Sequence, residues 1–116
     1  MKRYIIVRTN FPGFHFWKDA PVEVDFLKRT HRHIFHVEVK IPVSHDDRQL
    51  EFFIVKKFLN EVIVSLFPEN HFEPMTFSCE IMAEKIMEVI SDKYGIKKDL
   101  SVSVFEDDEN GGFVCI

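Results

Sequence analysis

Hydrophobic and polar residues alternate along residues 31–42 and 100–106, and this period of two predicts β-strands. Residues 3–9, which are apolar and β-branched, and the short segment 113–116 are also predicted to be strands. In the clearest segment every second side chain from His33 to Ile41 falls on one face, whereas Arg32 and Lys40 fall on the other. We expect the face that carries His33 and Ile41 to pack against the core. The four predicted strands span residues 3–9, 31–42, 100–106 and 113–116.

Glycine-containing segments interrupt or separate these strands. Asn10-Phe11-Pro12-Gly13 predicts a turn or a bulge in the first arm, after which Phe14–Trp17 resumes an extended conformation. Residues 18–30 are mixed in character and predict a loop or a distorted hairpin arm. Asn110-Gly111-Gly112 predicts the tight turn of the last hairpin, because Asn-Gly pairs readily adopt the positive φ angles that such turns need.

Between the second and third strands the hydrophobic period changes to that of an α-helix. A first helix is predicted over about residues 49–66, with Ile54 in its apolar stripe. A second helix is predicted to begin after the N-cap Ser78 and to end before Gly95, with Ile81 on its buried side. The order β-β-α-α-β-β predicts an α+β fold in which two helices cover one face of a four-stranded antiparallel sheet.

Length and composition indicate a single folded domain that spans residues 1–116. Thirteen Phe are many for so short a chain, and we expect some of them to be buried against other subunits. The net charge of −4 argues against nucleic-acid binding, and no apolar run approaches the ~20 residues of a membrane span. Two Cys make no disulfide framework, so a reducing cytoplasmic location is expected.

Three of the six His are spaced so that they can converge. His31 and His33 lie two apart in a strand and project to the same side, and His15 comes from the arm that precedes this strand. Three neutral imidazoles that leave one coordination position open form a catalytic zinc arrangement. The alternative is that His31 belongs to a turn and that His33 is a core histidine with its hydrogen bonds satisfied.

Three further side chains are candidates for such a site. Glu106 ends a strand on its core side, where a carboxylate needs a bidentate N–H donor; alternatively, the strand frays there into the acidic turn Asp107-Asp108-Glu109. Cys79 lies in the first turn of the second helix, where the helix dipole lowers the pKa of a thiol, and a small packing residue is the alternative. His71 lies in the loop before that helix, a position that fits either a functional or an inert side chain.

In their order along the chain, these residues resemble the 6-pyruvoyl-tetrahydropterin synthase family. That family includes the 6-carboxytetrahydropterin synthases of 7-deazaguanine (queuosine) biosynthesis. The resemblance covers nearly the whole chain. It is carried by five short motifs, namely Phe14-His15, His31-Arg32-His33, Leu50-Glu51-Phe52, Phe77-Ser78-Cys79-Glu80 and Phe105-Glu106.

The resemblance implies a tunnelling fold (T-fold), in which subunits join their sheet edges into a barrel, commonly as trimers stacked into a hexamer. It implies zinc bound by His15, His31 and His33, and a pterin-type ring anchored by Glu106. The family's reaction acts on dihydroneopterin triphosphate: zinc binds the side-chain hydroxyls and acidifies a proton, and triphosphate is eliminated. The carboxy branch then loses a two-carbon fragment. The resemblance therefore implies a cytoplasmic, zinc-dependent lyase.

The chain departs from the family pattern at the residues that transfer protons. The family's Cys, four residues before the His-x-His, is replaced by Leu27, and the family's Asp-His pair aligns with Phe67-Pro68. His71, and after it Cys79, are the remaining candidates for proton transfer. These departures motivate two alternatives. One is a pseudoenzyme or binding module for a pterin, a purine or a partner protein, and the other is an assembly protein without a ligand.

Overall fold

In residues 1–69 and 72–116, which this computed structural model describes, four strands form one antiparallel sheet. Each strand pairs with the next one along the chain. The pairing of the first two strands is continuous, from Arg3 opposite Val43 to His15 opposite His31. The strands are β1 (Arg3–His15), β2 (His31–Val43), β3 (Ser101–Glu106) and β4 (Asn110–Cys115).

Two α-helices, α1 (Phe52–Leu66) and α2 (Cys79–Tyr94), connect β2 to β3. A short 3₁₀ segment, Val22–Lys28, lies between β1 and β2 in the region predicted as a loop. Helix α1 packs against β1, and α2 packs against β3 and β4, so that the core lies between the helices and the sheet. The predicted α+β class and the order β-β-α-α-β-β are confirmed.

The helix ends follow the sequence signals, whereas two of the burial predictions are wrong. The Ser78 side chain caps α2 by accepting a hydrogen bond from the N–H of Ile81, and Gly95 ends this helix with a φ of 65°. Ile54 and Ile81, both expected inside, are 69% and 42% exposed. In each helix the next residue, such as Val55 in α1, is the buried one. The buried face of each helix is therefore narrower than the hydrophobic pattern predicts.

The turn or bulge expected in the first arm is absent, because β1 runs unbroken through that region and pairs residue for residue with β2. Asn10 pairs with His36, and Pro12 and Gly13 also have partners on β2. Proline has no N–H to contribute to a sheet, but an edge strand tolerates it when that side of the residue faces away from the neighbouring strand. Since β1 is an edge strand, the local turn signal is overridden by thirteen consecutive residues of strand.

The last hairpin turns earlier than predicted. Asp107 and Asp108 have φ angles of 52° and 58°, and the N–H of Glu109 donates to the carbonyl of Glu106 at 2.9 Å. Positive φ at both central positions is the signature of a type I′ turn. Gly112 lies in β4 and is needed there for a different reason: a Cβ atom on it would lie 2.6 Å from the backbone nitrogen of Glu80. The glycine thus lets the start of α2 approach β4 closely.

Neither helix in the described part of the chain is long and apolar enough to span a lipid bilayer.

Candidate metal centre

Three His rings from β1 and β2 lie together on the core face of the sheet. His15 ends β1 and pairs with His31, the first residue of β2, and His33 follows on the same face. The ring centroids are 4.5 Å apart for His15 and His31, 4.9 Å for His31 and His33, and 5.1 Å for His15 and His33. One potential ligand atom of each residue lies within 4.8 Å of the other two. The predicted convergence is confirmed, and His31 belongs to a strand rather than to a turn.

Each of these rings is oriented by a hydrogen bond at Nδ1. In all three the partner oxygen is a carbonyl or a carboxylate, which accepts, so Nδ1 carries the hydrogen and the neutral form of each ring keeps its lone pair on Nε2. Imidazoles that ligate metals are oriented in the same way. The three distances are 3.2 Å from His15 to the carbonyl of Phe77, 2.7 Å from His31 to the carbonyl of Arg29, and 2.6 Å from His33 to Oδ2 of Asp107.

The second ring nitrogen, Nε2, makes the cluster suitable for a metal ion. Nε2 of His15 and Nε2 of His33 are both buried, and neither has a hydrogen-bond partner within the described residues. A buried polar atom without a partner costs about 1–3 kcal/mol. A transition metal that takes up the lone pairs of three imidazoles would satisfy these atoms, and nitrogen ligands suit zinc. The donor set and its outer hydrogen bonds therefore fit such an ion.

Burial keeps His15 in the protonation state that a metal ligand needs. The residue is 7% exposed, and this burial lowers the pKa of His15 more than the hydrogen bond to the Phe77 carbonyl raises it. The ring is therefore neutral at neutral pH, which is the ligating form of imidazole. The buried Phe35 ring packs edge-on against His15 and His33, with centroid distances of 5.2 and 5.7 Å. Two rings of the cluster thus pack against an apolar side chain.

Glu106 brings a carboxylate to the same cluster. It pairs with Phe35 across the sheet, and its Oε1 and Oε2 lie 3.5 Å from His15 Nε2 and 3.4 Å from His33 Nε2, respectively. When the imidazoles are neutral and the carboxylate is ionised, each Nε2 atom and the Glu106 oxygen next to it are both hydrogen-bond acceptors. Such a nitrogen and oxygen repel each other unless a cation lies close to the two atoms. The structure places Glu106 on the core side of β3, as predicted, and also beside His15 and His33.

The cluster opens onto a cleft of about 520 Å³. His15, His31 and Glu106 line the cleft on one side, and apolar side chains line much of the rest. A few polar groups beside an apolar wall are typical of binding sites for small molecules. The apolar lining comes from Phe16, Trp17, Leu27, Phe77 and Ile81.

Cys79 lies beside Glu106 but is not a thiolate near neutral pH. The residue is buried, and its Sγ is 3.9 Å from Oε1 of Glu106. Burial, followed by the nearby carboxylates of Glu106 and Glu80, raises the pKa of the Cys79 thiol to about 12. The direction is opposite to the lowering expected from the helix dipole, because desolvation outweighs the dipole at this position. The structure favours the alternative of a small packing residue.

Alkylation of Cys79 tests this placement. In a Cys115→Ser variant, which lacks the exposed second thiol, we expect iodoacetamide to modify Cys79 at least about tenfold more slowly in the native protein than in the unfolded chain. A raised pKa removes thiolate, and burial blocks access to it. Mass spectrometry of timed samples gives both rates, and a Cys79→Ser variant is the control for Cys115. Equal native and unfolded rates would show that Cys79 is accessible and contradict this assignment.

Asp107 is a residue of this site that the sequence pattern does not reveal. The acidic turn named as the alternative is present, and its first carboxylate, although exposed, is hydrogen-bonded to His33. The bond from His33, followed by that from the N–H of Ile34, holds the pKa of the Asp107 carboxyl below its usual range. A signal for it exists in retrospect, since Asp tolerates positive φ and directly follows the core-facing Glu106.

Leu27 and Arg32, which the comparison with the family motifs also involves, lie in surroundings that differ from each other. Leu27 lines the cleft, and its backbone carbonyl accepts a hydrogen bond from the N–H of Trp17 at 2.8 Å. Arg32 is exposed on the opposite face of β2, where its Nε lies 3.5 Å from Oε1 of Glu69. His71 lies outside the described residues.

No protein-family model matches the sequence, and no curated protein matches it at a significant level.

Proposed function

We propose that this chain binds a zinc ion through Nε2 of His15, His31 and His33, and that it acts on a pterin substrate beside that ion. The observation that carries the proposal is the orientation of the three rings: every Nδ1 is engaged by an acceptor, which leaves three Nε2 lone pairs for a metal. Three imidazoles with a further coordination position open to substrate are typical of catalytic zinc sites. Bound zinc would supply Lewis-acid polarisation of a substrate oxygen.

The cleft supports a flat, nitrogen-rich ring as the substrate. The two oxygens of Glu106 can accept two N–H groups from the edge of a pterin ring, in the manner of a carboxylate that binds a guanidinium. Trp17, Leu27 and Phe77 offer apolar contacts to the ring and exclude water from it. By the family resemblance, the substrate is dihydroneopterin triphosphate, the reaction eliminates triphosphate, and the fold is a T-fold.

Incubation of the zinc-loaded protein with dihydroneopterin triphosphate tests this function. We expect release of inorganic triphosphate together with a 6-pyruvoyl- or 6-carboxytetrahydropterin, which chromatography separates. Protein stripped of metal with a chelator is the control and should be inactive. If no triphosphate is released under conditions in which a standard 6-pyruvoyl-tetrahydropterin synthase turns over, the lyase function is wrong.

A binding module that retains the metal but does not catalyse is the second candidate. Leu27 places an aliphatic side chain on the cleft wall at the position of the family's Cys, and the raised pKa of Cys79 removes the thiol that lines the cleft as a base. His71 is then the remaining candidate for proton transfer. Turnover that disappears in a His71→Ala variant would support the enzyme, whereas pterin binding without turnover in the wild-type protein would support the binding module.

We further propose that the chain forms a homo-oligomer, a trimer or a hexamer, by pairing sheet edges. β1 and β4 are the outermost strands of the described sheet. Such edges tend to pair with other chains, and large exposed apolar side chains mark interaction surfaces. Light scattering at micromolar concentration is expected to give the mass of a trimer or more, and a monomer would contradict the proposal. The exposed phenylalanines include Phe26, Phe52, Phe53 and Phe113.

A further inference from the structure

Asp107 differs from the other two Nδ1 partners of the His cluster because it carries a charge. His15 and His31 are oriented by backbone carbonyls, whereas His33 Nδ1 lies 2.6 Å from Oδ2 of Asp107. A hydrogen bond to an ionised acceptor is shorter and about twice as strong as one between neutral groups. Among the three rings, His33 is therefore the most firmly oriented.

The hairpin turn fixes the Asp107 carboxylate in this position. The N–H of Asp107 donates to the carbonyl of Ile34 at 2.8 Å, and the N–H of Ile34 donates to Oδ1 of Asp107 at 2.9 Å. This pair of bonds anchors both the backbone and one side-chain oxygen to the residue next to His33. The other oxygen, Oδ2, is thereby aimed at the ring, so the position of the exposed Asp107 side chain is set by these two bonds and by the register of β2 and β3.

His33 consequently lies between two carboxylates. Asp107 faces its Nδ1, and Oε2 of Glu106 lies 3.4 Å from its Nε2. A carboxylate that accepts the Nδ1–H of a ligating imidazole fixes the tautomer and makes Nε2 a stronger donor to the metal. Negative charge at both ends of the ring also favours a cation at Nε2. Both effects act in the direction of tighter metal binding.

We propose that Asp107 is a positioning residue of the metal centre, which fixes His33 in its Nδ1–H form and raises the affinity of the site for a divalent metal. This inference rests on the proposed metal binding and deepens it. Removal of an outer-shell partner of this kind costs roughly 10–100-fold in metal affinity. The neutral carbonyl partners of His15 and His31 cannot be removed by side-chain substitution, so Asp107 is the partner through which the site can be weakened selectively.

Competition with a chromophoric chelator for Zn²⁺ measures this effect in the wild-type protein and in Asp107→Asn and Asp108→Asn variants. Asp108 is the matched control, because it is the next residue of the same turn, has a φ of 58°, and loses the same charge. Asparagine tolerates positive φ, so both variants retain the turn. We expect Asp107→Asn to bind zinc about 10–100-fold more weakly and Asp108→Asn to bind it within about twofold of wild type.

Nitrogen-15 NMR of His33 in the metal-free wild-type protein gives a second readout that a merely structural role would not produce. We expect Nδ1 of His33 to carry a hydrogen. An unprotonated Nδ1 would overturn the inference even if Asp107→Asn does not fold. Wild-type affinity in Asp107→Asn, or equal losses in the two variants, would also overturn it while leaving the proposed zinc site intact. A wild-type protein that binds no zinc would overturn the proposed function and this inference together.

Discussion

A His31→Ala variant is expected to lose stoichiometric zinc binding. His31 supplies one of the three ligand atoms that lie within 4.8 Å of one another, and the pair that remains cannot form a three-imidazole site. The loss should exceed the roughly 10–100-fold that removal of an outer-shell partner costs, because a bond to the metal itself is lost. Equilibrium dialysis followed by elemental analysis should find about one zinc per wild-type chain and almost none in the variant.

His36→Ala is the matched control for this experiment. His36 lies on the same strand as His31 but alternates to the other face, where it pairs with Asn10 on one side and Phe105 on the other. It should retain full zinc content. Since a metal that binds only the native state stabilises it, added zinc should raise the melting temperature of wild type and His36→Ala but not of His31→Ala. A His31→Ala variant that retains one zinc per chain would refute the three-His centre.

A Glu106→Gln variant is expected to weaken pterin binding about 10- to 100-fold while leaving zinc content unchanged. Each hydrogen bond to a charged group contributes about 1.5–3 kcal/mol, and glutamine replaces one of the two acceptor oxygens with an NH₂ group that faces the N–H groups of the ring. The chain has one Trp, and Trp17 lines the cleft. Quenching of its fluorescence by neopterin, added to the zinc-loaded protein, should report binding directly.

The control for this variant is Glu109→Gln, which removes the same charge from an exposed position in the same hairpin and should bind neopterin as wild type does. Two other outcomes would change the role assigned to Glu106. If Glu106→Gln loses zinc, the 3.5 and 3.4 Å distances to His15 Nε2 and His33 Nε2 mark Glu106 as a metal ligand. Unchanged binding of both zinc and neopterin would contradict any contribution of Glu106 to the site.

The three-His cluster could be predicted because it follows from local rules. His31 and His33 share a face by the period of a strand, and His15 meets them because consecutive antiparallel strands tend to pair. The structure confirms both steps, since β1 and β2 pair without interruption up to His15 and His31. The zinc ion, which both the three imidazoles and the family resemblance suggest, and the pterin substrate, which the resemblance implies, stay predictions.

The surroundings of the cluster could not be predicted, because they depend on tertiary register and burial. An Asn-Gly pair is a strong hairpin signal, so the sequence predicts the turn at Asn110–Gly112 and leaves Asp107 only as part of an acidic turn in the alternative for Glu106. In the structure Asp107 opens the turn, and Gly112 accommodates α2. The pKa of Cys79 could not be predicted for the same reason. The helix dipole, which was expected to lower this pKa, is a local property, whereas the desolvation that raises it comes from tertiary packing.

The sequence separation between the His residues and their Nδ1 partners has a consequence for how the protein is made. The three His are synthesised early, but Phe77 follows His15 by 62 residues and Asp107 follows His33 by 74. On the ribosome the imidazoles of His15 and His33 therefore emerge long before the groups that orient them, whereas the Arg29 carbonyl that orients His31 precedes it. If the chain binds zinc as proposed, all three rings are oriented only after the β3–β4 hairpin has joined the sheet. Tight metal binding would then be a late step of biosynthesis, timed by completion of the sheet rather than by the appearance of the ligands.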